Sequence, residues 1–308
     1  MHAFQVLLTV LGLLKKAFRV FNQNEPLRMA AATAFFTTFA LPAILIILIQ
    51  VFGLVLDPQR ISEQLFQNLS DIIGRNTVLQ LRQTLRNVRH LASNWYIAIG
   101  GFMFLIFVST TLFKVIKDSL NQLWKIKVKE NPGIVFQLEH RVRSFTAILL
   151  AGVLFVAILL AEGLLVLLRQ YISERLPQNG FLLNGLINQL ISLLVVTTWF
   201  TMLFKYLADG RPAWRVALMG GFFTGMFFTF GKLLLKFFLS YSNMQTIFGA
   251  STSMALMLLF VFYSSFIFYY GACFTKVYAE FKDQPIPPGR NAVKYELSLV
   301  EMGGESEK

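Results

Sequence analysis

Residues Phe248–Tyr278 read FGASTSMALMLLFVFYSSFIFYYGACFTKVY, 31 positions with a single charged side chain, Lys276. About 20 apolar residues in a helix cover the roughly 30 Å of a bilayer's hydrocarbon. A barrel strand would be half as long and would alternate polar with apolar positions. This run does neither. It reads as a membrane-crossing helix, which satisfies its own backbone hydrogen bonds where no water is at hand.

Working outward, five more stretches have the same character: Met29–Leu56, Trp95–Val115, Thr146–Leu168, Asn184–Tyr206 and Val216–Tyr241. The composition agrees. Of 308 residues, 56% are hydrophobic and 14% charged, against about 25% charged in soluble chains. Mean hydropathy is +0.60. Disorder, a collagen-like fibre and a disulfide scaffold are excluded, the last because Cys273 is the single cysteine. The fold class expected is all-α, a polytopic membrane protein. It comprises six transmembrane helices, an N-terminal interfacial helix and an outer-face amphipathic helical hairpin.

Six crossings put both ends of the membrane domain on one side. The segments on that side carry 19 Lys and Arg, the opposite segments seven, and Lys232 and Lys236 lie inside the fifth span. The positive-inside rule then makes both termini cytoplasmic. The net charge of +12 reads as topology and lipid attraction rather than nucleic-acid binding. The location expected is the bacterial inner (plasma) membrane.

Residues 1–28 hold an apolar run, Phe4–Leu14, followed by Lys15 and Lys16. It is too short to span, and its charge follows the run, where a signal peptide's precedes it. The reading is an interfacial helix with Lys15, Lys16 and Arg19 at the headgroups; a soluble helix packed on the bundle stays open beside it. Within the membrane domain, 29–281, residues 57–94 form the hairpin. Ile61, Leu65, Leu69 and Ile72 share one helical face, and Val78, Leu81, Leu85 and Val88 another. Arg82, Arg86 and Arg89 make a basic stripe, either a solvated face or a contact for anionic headgroups. Pro285, Pro287, Pro288 and Gly289 stop the last helix, so 282–308 is expected to be a mobile cytoplasmic tail.

Catalytic chemistry finds no anchor. His2, His90 and His140 are scattered, and no HExxH, CxxC, GxxxxGK[ST] or GxSxG occurs. No enzyme activity, metal or cofactor is expected.

The polar residues inside the spans are more informative, since each ionisable one costs at least ~2.5 kcal/mol to insert. Glu162 lies about 25 Å along span three and Lys232 about 24 Å along span five, at ~1.5 Å per residue. Both spans run outward, so acid and base share a depth in the outer half. Lys236 is one turn further out. Gln50, Asn188 and Gln189 lie in the same half. One reading is an ion pair that fixes helix order; the other is a net-positive cavity open to the outer leaflet. Pro42 falls near the middle of span one and removes a bond to Thr38, a candidate hinge or a static bend. Gly221 and Gly225 form GxxxG on span five, a close-packing signature.

The order of several motifs resembles the YihY / virulence factor BrkB family of bacterial inner-membrane proteins, formerly mislabelled ribonuclease BN. The run Ala30-Ala31-Ala32-Thr33-Ala34-Phe35-Phe36 through Pro42 is similar to the family's small-residue and aromatic run. Leu120-Asn121-Gln122-Leu123-Trp124 looks like its LNxxW. Tyr206 and Arg211-Pro212-Ala213-Trp214-Arg215 resemble its turn into span five, with Ala208-Asp209 where a proline is usual. Phe248-Gly249 and Tyr270-Gly271-Ala272 resemble elements of span six, with Cys273 where an acid is common. The resemblance implies a six-helix plasma-membrane protein linked to envelope integrity or transport, with lipids among the cargoes.

Two functions stand. One is a transporter or binder of an anionic amphiphile such as a lipid, with membrane lipids as its partners and no nucleic acid. The other is a non-transporting envelope scaffold. Substrate and oligomeric state have no signature in the sequence.

Overall fold

The computed structural model describes residues 2–52, 63, 66–67, 70, 75, 78–83, 95–129, 181–241, 252–290 and 292–296. Among them the chain is mostly helical. In order come α1 (His2–Asn22), α2 (Pro26–Phe52), α3 (Trp95–Leu123), β1 (Ile126–Val128), α4 (Phe181–Tyr206), α5 (Trp214–Tyr241), α6 (Thr252–Phe281) and β2 (Ala292–Lys294). Helices α2 to α6 occupy five of the six stretches read as spans. The other, Thr146–Leu168, lies outside the described residues. Two described stretches, Trp214–Leu234 and Met254–Phe281, are long and apolar enough to cross a membrane.

Small residues set how α4, α5 and α6 meet. Gly220 of α5 faces Thr275 of α6, and Thr224 of α5 faces Gly271 of α6. On another side of α5, Gly221 faces Thr201 and Gly225 faces Thr197, both on α4. The GxxxG partner is therefore α4 of the same chain. A glycine lets two backbones approach, and each threonine fills the notch opposite. Three of the four hydroxyls are satisfied within their own helices, while the buried Thr197 Oγ1 has no hydrogen-bond partner among the described residues. Thr275 donates to the Gly271 carbonyl at 2.8 Å, Thr224 to Gly220 at 2.7 Å and Thr201 to Thr197 at 2.7 Å.

Aromatic rings fill what the notches leave. Phe204 stacks on Phe268 with centroids 5.3 Å apart, and Phe223 on Phe274 at 4.0 Å. α2 joins α6 through a 2.6 Å hydrogen bond between the Thr33 and Tyr269 hydroxyls. Because the Thr33 hydroxyl already donates to the Met29 carbonyl, Tyr269 is the donor to it.

α1 buries Leu13, Ala17 and Phe21, positions one helical turn apart on one face. Phe21 meets Phe266 and Tyr270 of α6 edge-on at 4.7 and 5.5 Å, and the Tyr270 hydroxyl donates to the Leu14 carbonyl at 3.2 Å. Leu8, Leu11, Phe18, Lys15, Lys16 and Arg19 stay exposed. The helix thus packs on the bundle with one face and presents apolar and basic groups on the other.

α5 also carries a winding apolar stripe. Trp214, Leu218, Phe222, Met226, Phe230 and Leu234 recur every four residues, and all are exposed, the line drifting about 40° round the helix at each step. Outward-facing side chains this apolar suit contact with lipid chains.

Most of 57–94 lies outside the described residues. The described positions Phe66, Val78 and Leu81 are buried, and all are helical.

The chain after α6 departs from a mobile tail. The prolines do end the helix, and Asp283 turns the backbone at φ 52°. Ile286 is then buried, and β2 pairs antiparallel with β1, Ile126 opposite Lys294 and Val128 opposite Ala292. Proline removes donors and fixes φ, which forbids more helix but suits an extended strap. This small two-stranded sheet also qualifies the all-α expectation. Residues 297–308 lie outside the described set.

Candidate functional site

Among the described residues, the most polar buried cluster gathers three separate pieces of chain at one end of the bundle. The first is the end of α3. Lys117 and Asn121 are four residues apart there, so both side chains emerge from one face. The second is the turn between α4 and α5, where Asp209 sits. The third is the strap that follows α6.

The Lys117 Nζ lies 3.1 Å from Asp209 Oδ1, with side chains 11% and 13% exposed. Asn121 Nδ2 donates to Asp209 Oδ2 at 2.8 Å, and the Asp209 amide donates to Asn121 Oδ1 at 3.0 Å. Each carboxylate oxygen has its own partner. That completeness is what a buried ion pair needs to offset its loss of water.

The strap closes over the same turn. The Gly289 amide donates to the Asp209 carbonyl at 2.7 Å, and the Arg211 amide to the Pro287 carbonyl at 2.9 Å. Between them Gly210 bridges Pro288. A Cβ at Gly210 would lie 2.6–2.9 Å from Trp124, Ile126 and Ile286, so only glycine fits there. Trp124, almost fully buried, donates its indole N–H to the Ala272 carbonyl at 3.0 Å. Lys276 donates to the Leu123 carbonyl at 3.1 Å, placing a cation on the last carbonyls of α3. Lys205 donates to the Pro212 carbonyl at 2.7 Å.

Chemically this is a lock. Among the described residues no group of three His, Cys, Asp or Glu side chains could hold a metal ion. The cluster ties α3, the α4–α5 turn and the strap, and it seals that end of the bundle with bonds that cannot be exchanged for water cheaply.

The residues singled out from the sequence lie elsewhere. Lys232 is half-buried on α5, and Gln189 is exposed on α4. Lys236, Gln50, Asn188 and Pro42 fall on α5, α2, α4 and α2, with side chains outside the described set. Glu162, Arg86 and Arg89 lie outside it altogether, so the Glu162–Lys232 pairing falls there too. Thr38 is buried, and its hydroxyl donates to the Ala34 carbonyl at 2.8 Å. Arg82 is turned inward onto the Phe66 ring, 4.5 Å from guanidinium carbon to centroid, with its Nε buried. A guanidinium over a ring face is a cation–π contact.

Sequence reading passed over Lys117, Asn121 and Asp209. Two signals were present. Asn121 lies in the Leu120–Trp124 stretch and Asp209 in the Ala208-Asp209 pair, both noted in the family resemblance.

A model of the family described as virulence factor BrkB matches residues 17–295. Among curated relatives, a UPF0761 membrane protein of Pseudomonas aeruginosa is 26% identical over 262 residues, covering 83% of this chain and 60% of the relative. One from Psychromonas ingrahamii is 24% identical over 271 residues, covering 85% of each. One from Actinobacillus pleuropneumoniae is 24% identical over 254 residues, covering 80% and 87%. The chain thus spans about three fifths of the length of the Pseudomonas relative. No solved structure matches it.

Proposed function

The chain belongs to the virulence factor BrkB family, and on that premise we propose that it is a six-span plasma-membrane protein that binds and moves an anionic amphiphile, a lipid first of all. Both termini face the cytoplasm in this reading, which puts the lock at the inner end and Lys232 in the outer half.

The observation that carries the reading is the setting of Lys232. It is half-buried on α5 beside the exposed Phe230, Leu233 and Leu234. Among the described residues it makes no salt bridge. An ammonium inside a membrane helix is costly unless an anion answers it. A lipid phosphate beside an apolar stripe supplies that anion and also fills the stripe. Lys236, one turn further along α5, extends the positive track toward the outer headgroups.

The test is retention of anionic lipid. Purified in mild detergent, Lys232→Gln/Lys236→Gln is expected to carry one phosphatidylglycerol fewer than the wild type at equal thermal stability. Equal retention overturns the reading.

A second reading, an envelope scaffold that transports nothing, is favoured by the lock, since a scaffold profits from one fixed end. The two separate in proteoliposomes. A transporter moves labelled phosphatidylglycerol between leaflets faster than protein-free vesicles do, and a scaffold does not.

A further inference from the structure

At the end of α5 that carries the lock, one cation lies over an exposed tryptophan and two more are close to it in sequence. Trp214 is 51% exposed. Lys205 Nζ lies 5.4 Å from the centre of its ring, and Tyr206 meets the ring edge-on at 6.1 Å. Arg211 and Arg215 flank Trp214 in sequence, and both are exposed. The acid of this turn is Asp209, and its charge is answered by Lys117. Among the described residues of this turn the three cations are thereby in excess. Among the described residues, Lys205, Arg211 and Arg215 form no salt bridge.

A second observation says what the excess is for. Trp214 is the first member of the exposed stripe Trp214, Leu218, Phe222, Met226, Phe230 and Leu234. Successive members are one helical turn apart, so the stripe runs about 30 Å along the helix, the depth of the hydrocarbon. A soluble anion would use the cations and ignore the stripe. A phospholipid uses both, with its phosphate at the cations and one acyl chain along the nearer half of the stripe, past Leu218 and Phe222, since one leaflet supplies about half of the hydrocarbon depth. Tryptophan and tyrosine rings belong where those two parts join.

We propose that Lys205, Arg211 and Arg215, at the Trp214 end of α5, form a binding site for the headgroup of an anionic phospholipid, whose acyl chain lies along Leu218 and Phe222 of the α5 stripe. The site is distinct from Lys232 and Lys236. Its assignment to the cytoplasmic leaflet rests on the topology proposed above; the site itself does not. It also adjoins the lock, because the Arg211 amide is bonded to the Pro287 carbonyl of the strap.

The experiment titrates the delipidated full chain in detergent with phosphatidylglycerol or phosphatidylcholine and counts bound lipids by native mass spectrometry. Arg211→Gln/Arg215→Gln removes two charges and leaves the Lys205 and Arg211 backbone contacts in place. It is expected to weaken the first phosphatidylglycerol by at least about tenfold, since each basic group near anionic lipid contributes on the order of 1 kcal/mol. Phosphatidylcholine binding is expected to stay unchanged. Lys129→Gln/Lys282→Gln removes the same charge at two other exposed positions and is expected to match the wild type. Lys232→Gln/Lys236→Gln is expected to lose a different phosphatidylglycerol, so that joining it to Arg211→Gln/Arg215→Gln removes two bound lipids where each pair alone removes one. Equal phosphatidylglycerol affinity in the Arg211/Arg215 variant, an equal loss in the Lys129/Lys282 variant, or a combined loss no greater than that of Lys232→Gln/Lys236→Gln alone, overturns the site. Displacement of the lipid by millimolar inorganic phosphate would assign the cations to a soluble anion and overturn the lipid assignment.

Discussion

Asn121 and Asp209, 88 positions apart in the chain, exchange two hydrogen bonds, amide to carboxylate at 2.8 Å and backbone N–H to side-chain oxygen at 3.0 Å. The pair fixes both the position and the rotation of the α4–α5 turn against α3. With Lys117 on the other carboxylate oxygen, the trio is largely withdrawn from solvent.

Removing one charge of that trio should therefore be severe. Asp209→Asn leaves the Lys117 ammonium buried and unpaired, and is expected to cost about 3–5 kcal/mol. Lys117→Met/Asp209→Leu removes both charges and should recover much of the loss. Thermal midpoints of the purified variants in detergent read this directly. An Asp209→Asn midpoint equal to the wild type contradicts the buried-pair account.

The helix notches make a prediction by contrast. A side chain at Gly220 collides with Thr275, so Gly220→Val should destabilise by about 1–3 kcal/mol or more. Gly100 on α3 has nothing within 4 Å of an added Cβ. Gly100→Ala should stabilise by roughly 0.5–1 kcal/mol, because alanine loses less backbone freedom in a helix. The opposite signs are the test, and two changes of the same sign would refute it.

The strap should show in hydrogen exchange. The amides of Arg211, Gly289, Ala292 and Tyr295 all donate to backbone carbonyls across it or within it, and should exchange slowly. Ile286→Ala empties a buried apolar site beneath the strap, at a cost of about 2–5 kcal/mol. It should release all four together. Exchange at random-coil rates in the wild type would mean that the strap is not formed.

Topology can be settled by labelling. In a Cys273→Ala background, an impermeant thiol reagent on intact cells should reach a cysteine at Ser70 and not one at Lys129. Cys273 is buried, so its removal leaves the surface unaltered. Labelling at Lys129 alone would invert the assignment.

Much of the architecture is legible in the sequence because it follows from composition along the chain. The runs that become α2 to α6 are apolar over enough length to be read one at a time. The face of α1 is readable too, since Leu13, Ala17 and Phe21 recur every four residues. Its partner is not, because Phe266 and Tyr270 lie in a helix whose rotation the sequence does not reveal. The lock was hidden for the same reason. Lys117 looks like one of several loop cations until the α4–α5 turn is known to come back to α3. The strap misled in another way. Prolines signal the end of a helix, and that end was mistaken for the end of order, although Ile286 among polar neighbours was a hint of burial. Depth alone matched Glu162 with Lys232, and depth leaves the azimuth of both undetermined.

The reciprocal seats of α5 and α6 bear on how the molecule can move. Gly220 accepts Thr275 while Thr224 is accepted by Gly271, so each helix is at once pin and socket for the other. A slide of one residue, about 1.5 Å, would drive both pins out of their sockets together. The second pair of seats, Gly221 with Thr201 and Gly225 with Thr197, does the same for α4. Helices α4, α5 and α6 are therefore geared together: none of the three can slide along its neighbour without opening several seats at once.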